Sequence, residues 1–188
     1  MIIATAITPL VGHAGIFEIG GSGSYRRSNI DADATDESRS VTGSLGYYLS
    51  EATAIEISYT DGLTKREIAP DKPNGHITKM HYKTLGLDLI YTVGKKEATF
   101  RPYIKIGANY ILLKKIVDQY RGANGDLWTA NSYEDTPGMV PSAGFGFRLG
   151  VTESLAFKAG VDAWTSRTTN LTPITLDYVV NLGLSLMF

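Results

Sequence analysis

Apolar and polar residues alternate through the last stretch of the chain. From 174 to 188 the even positions are Ile174, Leu176, Tyr178, Val180, Leu182, Leu184, Leu186 and Phe188, while the odd ones are mostly polar or small. A period of two over that length predicts a β-strand with one apolar and one hydrophilic face. The pattern recurs upstream. Phe17, Ile19 and Tyr25 oppose Glu18, Ser22, Ser24 and Arg26; Val41, Leu45, Tyr47 and Leu49 oppose Thr42, Ser44, Gly46 and Tyr48. Ile55, Ile57 and Tyr59 oppose Glu56, Ser58 and Thr60, and Leu85, Leu87, Leu89 and Tyr91 oppose Thr84, Gly86, Asp88 and Thr92. The longest segment sets Phe100, Pro102, Ile104, Ile106, Tyr110 and Leu112 against Arg101, Tyr103, Lys105, Gly107 and Asn109. Two more set Phe145, Phe147 and Leu149 against Ser142, Gly144, Gly146 and Arg148, and Leu155, Phe157 and Val161 against Lys158, Gly160 and Asp162.

Eight such strands suffice to close a small barrel without edges. The expected fold is therefore all-β, an eight-stranded antiparallel up-and-down transmembrane barrel. Connections at 50–52, 94–97 and 152–154 are short; those at 27–39, 61–79, 117–137 and 166–173 are long and polar. Short turns on one rim and long loops on the other match the periplasmic and extracellular sides of a bacterial outer-membrane barrel, with both termini periplasmic.

Alternation alone also suits a soluble barrel that buries its apolar face. Side-chain size decides between the two. An eight-strand lumen is just wide enough to be filled by side chains, and only the polar face, rich in Gly and Ser, is small enough to fit. Aromatics add a second argument. Phe17, Tyr47, Tyr91, Phe100, Phe147, Phe157 and Phe188 fall at the short-turn end of the apolar face; Tyr25, Tyr59, Tyr110 and Tyr178 fall at the other. Ten residues, as between Phe100 and Tyr110, span roughly 25 Å in a tilted strand, the height of an outer-membrane apolar band. The apolar face is expected to meet lipid.

The 188 residues suit one domain and contain no Cys, which excludes disulfide and thiolate chemistry. With 18 Lys and Arg against 19 Asp and Glu, there is no basic surplus for nucleic acid. The apolar run at 2–11, followed by Gly12-His13-Ala14, reads as a signal peptide cleaved after residue 14, although no basic residue precedes it. The barrel domain then occupies 15–188.

Asn181, Gly183, Leu186 and the final Phe188 resemble the C-terminal insertion signal of bacterial outer-membrane barrels, which implies recognition by the barrel-insertion machinery. The run Phe100-Arg101-Pro102-Tyr103-Ile104-Lys105-Ile106-Gly107-Ala108-Asn109-Tyr110 is similar to the corresponding strand of the OmpW family and related small, porin-like barrels. The first strand departs from the OmpW pattern. The resemblance implies passive uptake of small apolar molecules that leave sideways into the membrane.

Charged residues on the inward face are Glu18, Glu56, Asp88, Asp162 and Asp177 against Arg26, Arg101, Lys105, Arg148 and Lys158. Glu18, Glu56, Arg101, Arg148 and Lys158 fall in the half nearer the periplasm, where a paired network would close the lumen; a wet, narrow pore is the competing reading. Pro137 and Pro141 flank the start of the sixth strand, where a missing ladder donor suits either a lateral opening or simply the end of a loop. Basic residues near the long-loop rim, Arg26, Arg27, Arg39, Lys65, Arg66, Lys79, Lys83, Lys114, Lys115 and Arg167, suit lipopolysaccharide phosphates. Tyr120, Trp128 and Tyr133 in the third loop suit an adhesive surface or packing over the barrel mouth.

Asp31, Asp33, Asp36 and Glu37 lack the turn glycine of a calcium loop, so no metal is expected. His76 and His81 lack the Ser two residues on that a lipid deacylase would suggest, so neither catalysis nor a cofactor is expected. Two functions remain: uptake of small apolar solutes, or a structural or adhesive surface barrel working through its long loops.

Overall fold

The computed structural model describes residues 17–31, 34–68, 75–94, 98–121, 126–134, 138–166 and 175–188. The segment read as a signal peptide and Pro137 lie outside them. Nine strands follow one another: β1 (Phe17–Asp31), β2 (Ala34–Tyr48), β3 (Thr53–Ile68), β4 (His76–Thr92), β5 (Phe100–Arg121), β6 (Leu127–Glu134), β7 (Gly138–Gly150), β8 (Leu155–Ser166) and β9 (Thr175–Met187). All pairings are antiparallel. The order β4-β3-β2-β1-β9-β8-β7-β5 closes through a further β4–β5 pairing, so eight strands form a barrel. β6 pairs with β5 alone, beyond the ring.

The barrel is built inside out relative to a water-soluble one. Leu85, Ile104 and Leu184 are 43%, 56% and 55% exposed on its exterior, whereas Glu18, Glu56, Asp88, Arg101 and Arg148 are buried in its interior. Period-two alternation imposes this, since each strand sends its apolar set outward and its polar or small set inward. The small residues make room for the large ones. Gly146 and Gly160 are paired across β7 and β8, and a Cβ on either would come within 2.7 Å of the Tyr103 side chain. At the short-turn end the belt rings touch: Phe17 lies 5.2 Å from Tyr47 and 6.4 Å from Phe188.

Much of what the sequence presents as long loops is strand. β3 runs on to Ile68 and β4 starts at His76, in unbroken register from Thr53–Tyr91 to Ile68–His76. β5 continues to Arg121, and β6 lies within the expected third loop. These extensions carry polar side chains on both faces, so they show no apolar alternation. Their ladders are reinforced by cross-strand polar pairs, such as Thr64 donating to Ser38 at 3.1 Å and Thr78 to Asp118 at 2.8 Å.

β5 changes face on the way up. Lys83 pairs with Leu113 and Thr84 with Ile111, leaving Leu112 as a bulge without an opposite residue. Below it the odd residues of β5 point inward; above it Ile116, Asp118 and Tyr120 do.

A charge on the exterior near mid-height should be costly. Ile106→Arg, at a position 62% exposed in the apolar band, is expected to lower stability by about 2–4 kcal/mol in lipid vesicles, read from urea unfolding curves.

Candidate functional site

At the level nearest the short turns, the acids and bases of the inner wall come from separate stretches of the ring. Glu18, Glu56 and Asp88 come from β1, β3 and β4; Arg101 and Lys105 from β5, Arg148 from β7 and Lys158 from β8. Along the wall, neighbours have like charge: Arg101 is paired with Arg148, Arg148 with Lys158, and Glu56 with Asp88. The pairs of Arg148 and Lys158 with Glu18 and Glu56 therefore reach between strands that are not neighbours. Arg148 Nη2 donates to both Glu18 carboxylate oxygens, at 2.9 and 2.7 Å, a chelating contact. Tyr48 donates to Glu18 at 2.6 Å and accepts a hydrogen bond from Arg148. Lys158 Nζ bridges Glu18 and Glu56, at 3.1 Å to each.

A second tier lies toward the long-loop end. Lys105 Nζ is 2.9 Å from Asp162 and 3.7 Å from Asp88. Asn181 donates to Asp162 at 2.6 Å and Ser142 to Asp88 at 3.2 Å. Above these groups opens a cavity of about 510 Å³, with Glu56, Lys158, Tyr103 and Lys105 at its base. Its wall from β2 and β3 is hydroxyl-rich, with Ser38, Ser40, Thr42, Ser58, Thr60 and Thr64. Its wall from β5, β7, β8 and β9 carries Ile111, Val140, Trp164 and Val179.

Two seams in that second wall are incomplete. Along β7, Gly150 N donates to Thr99 on the β5 side and Val151 N to Leu155 on the β8 side, both at 2.8 Å. Alternation carried up the strand turns odd-numbered amides of β7 toward β8. Pro141 is odd and has no amide hydrogen. The β7–β8 ladder ends at Ser142–Trp164, although β7 continues to Gly138 against β5 and β8 to Ser166 against β9.

At the other seam, Phe17 and Phe188 exchange backbone bonds of 3.0 Å, so even residues of β9 face β1. That ladder ends at Ser24–Asn181. Beyond it, the Tyr178 carbonyl accepts from the Arg26 side chain at 3.4 Å, and the Arg26 guanidinium sits 5.7 Å over the Tyr178 ring. Arg26 and Arg66 also flank the buried Asp36, at 3.5 and 3.3 Å. Among the described residues, the far end of the β8–β9 hairpin thus keeps its own ladder but shares no backbone ladder with β1 or β7.

The structure brings Glu18, Glu56, Arg148 and Lys158 into one cluster and Asp88, Lys105 and Asp162 into a second, and it buries Arg101 beside the first. Pro141 stands at a seam; Pro137 and the Asp177 side chain lie outside the described residues. Of the four residues resembling an insertion signal, Asn181 and Gly183 face inward, while Leu186 and Phe188 are exposed. Asp36 is held by arginines, His76 lies 3.4 Å from Asp118, and His81 pairs with Asp61 at 2.7 Å. Among the described residues no cluster of His, Cys, Asp and Glu could hold a metal. Tyr48 and Tyr103, which help form the floor, sit on the polar face in the sequence. Their size among Gly and Ser was the available signal.

Residues 2–188 match the outer membrane protein β-barrel domain. The chain belongs to that family. No curated relative matches the sequence. The fold of this outer-membrane barrel is similar to that of the N-terminal β-barrel domain of Pseudomonas aeruginosa OprF, with 19% identity, TM-score 0.59, and 92% of this chain and 97% of that one covered. It is also similar to Pseudomonas aeruginosa OprG, with 15% identity, TM-score 0.57, and 94% and 98% covered. The Escherichia coli outer membrane protein W gives 14% identity and TM-score 0.51, with 95% and 100% covered. The expected small outer-membrane barrel is therefore borne out, and the likeness to OmpW lies in the fold. The apolar exterior is the surface of a transmembrane, porin-like family.

The crossing pairs make a double-mutant test direct. Arg148→Met leaves the buried Glu18 without its chelating partner and should cost about 3–5 kcal/mol of stability. Arg148→Met combined with Glu18→Gln should cost less than the single change, as measured by unfolding in lipid vesicles.

Proposed function

We propose that this outer-membrane barrel mediates passive uptake of small apolar molecules without forming a water-filled pore. The reading rests on one observation: a cavity with a charged floor that has Val140, Trp164 and Val179 on its wall beside two incomplete seams. A hydrated ion moving down the lumen meets the Glu18–Arg148–Lys158–Glu56 layer, whose side chains occupy the section. An apolar molecule meets Val140, Trp164 and Val179 and passes between strands into lipid, on either side of the β8–β9 hairpin. No catalytic step is involved.

In this reading the long-loop end is extracellular and both termini are periplasmic. Lys65, Arg66, Lys79, Lys83 and Lys115, all on the upper reaches of β3, β4 and β5, then stand where lipopolysaccharide phosphates would pair with them. The aromatic end of β9 is what the insertion machinery would engage.

The chain has no cysteine, so engineered thiols can be paired without interference. Tyr25→Cys with Val180→Cys continues the register past Ser24–Asn181, and Pro141→Cys with Thr165→Cys continues it past Ser142–Trp164. Liposomes carrying the unmodified protein are expected to take up a hydrophobic solute with no steady ohmic current in single-channel recordings. Oxidising both Cys pairs should abolish most of that uptake, and reduction should restore it. Undiminished uptake in the bridged protein would refute the lateral route, and a large steady current would refute the closed floor. Binding to cells or matrix without any uptake would make it an adhesive barrel instead.

A further inference from the structure

Above the cavity, three rings stack across β4, β5 and β6. His76 and Tyr120 are paired in the ladder, with centroids 4.6 Å apart and planes 12° from parallel. Tyr120 and Trp128 are paired in turn, at 5.4 Å and 29°. Backbone pairing sets the ring spacing, and Asp118, 3.4 Å from His76 Nε2, steadies the first ring. The stack is not closed at its far end: Trp128 is 55% exposed.

The same face leads down to the cavity. Even residues of β4 share one side of the strand. Met80 and Tyr82 line the cavity, so His76 lies on the lumen side of the ribbon. Ile116 is paired with Met80 on that side, and Trp164 is on the cavity wall. The chain's two tryptophans are thus Trp128 on the ribbon and Trp164 on the cavity wall.

We infer that this ribbon face is a binding site for planar aromatic molecules, which add a ring to the exposed face of Trp128 and descend over Met80 and Ile116 to the cavity. The chemistry follows from the stack. Near-parallel rings in an offset arrangement reward a further flat π-system and give little to an aliphatic ring of equal volume. A saccharide would need hydrogen-bonding groups converging beside the ring as well. The inference rests on the uptake reading for its purpose, not for its geometry.

The probe is 1-nitronaphthalene, a flat contact quencher, titrated against the folded barrel in detergent micelles. In Trp164→Phe, Trp128 is the only tryptophan, and its fluorescence should be quenched to saturation. Decalin, similar in size but not flat, should not relieve the quenching, and nor should a methyl glycoside. Adding Tyr120→Leu should weaken binding by about three- to tenfold, the contribution of one ring pair. In Trp128→Leu, Trp164 should be quenched only at higher probe concentration.

Quenching that rises linearly without saturating, or that decalin or the glycoside relieves, would overturn the inference. The two proposals fail separately. Saturable quenching in a barrel that moves no solute removes the uptake reading and keeps the site. Uptake without saturable quenching of Trp128 does the reverse.

Discussion

Attraction across the lumen is the constraint on which the rest of this barrel depends. Arg101, Arg148 and Lys158 form a row of like charges along β5, β7 and β8, and Glu56 and Asp88 sit side by side on β3 and β4. Like charges directly opposite in a ladder destabilise a sheet. Each row is tolerable only when the other faces it at hydrogen-bonding distance, as Lys158 faces Glu56 at 3.1 Å. An open sheet would leave both rows uncompensated in a membrane. Closure of the ring and neutralisation of its interior are therefore one event, and they leave the outer surface free to be wholly apolar.

That division of faces was legible in the sequence because a period of two assigns every side chain to one side or the other. Glu18, Glu56, Arg148 and Lys158 could be placed inside from their positions alone. Which acid meets which base could not, since that depends on register and on which strands end up facing each other after closure. The Lys158 bridge between Glu18 and Glu56 joins residues 140 and 102 positions apart. The extended ribbons were missed for a different reason. Residues such as Thr64, Lys65 and Arg66 alternate nothing apolar, so strand persists there through pairing with a neighbour that sequence periodicity does not reveal. The run Tyr110-Ile111-Leu112-Leu113 did carry a signal, the break in alternation that the bulge at Leu112 accounts for.

The cavity wall shows what the two halves of the interior do differently. Below, the side chains are charged and paired with one another. Above, hydroxyls of β2 and β3 face Ile111, Val140, Trp164 and Val179 across open space. Val140, Trp164 and Val179 stand on the strands whose ladders end early. There Pro141 cannot donate, and the Arg26 side chain reaches the carbonyl of Tyr178 where the β1–β9 ladder has ended.

The β1–β9 seam has a further property that the other seams lack. It holds seven ladder pairs, against sixteen between β3 and β4, and no short turn ties its two strands together. Separation at a hairpin leaves the partners leashed by a few residues, whereas here the segments that part lie at opposite ends of the folded sequence. Amides along this junction should be the first in the ring to trade hydrogen for deuterium, since local opening there costs less than unfolding the whole. The barrel's breathing is thereby set by the junction of its first and last strands.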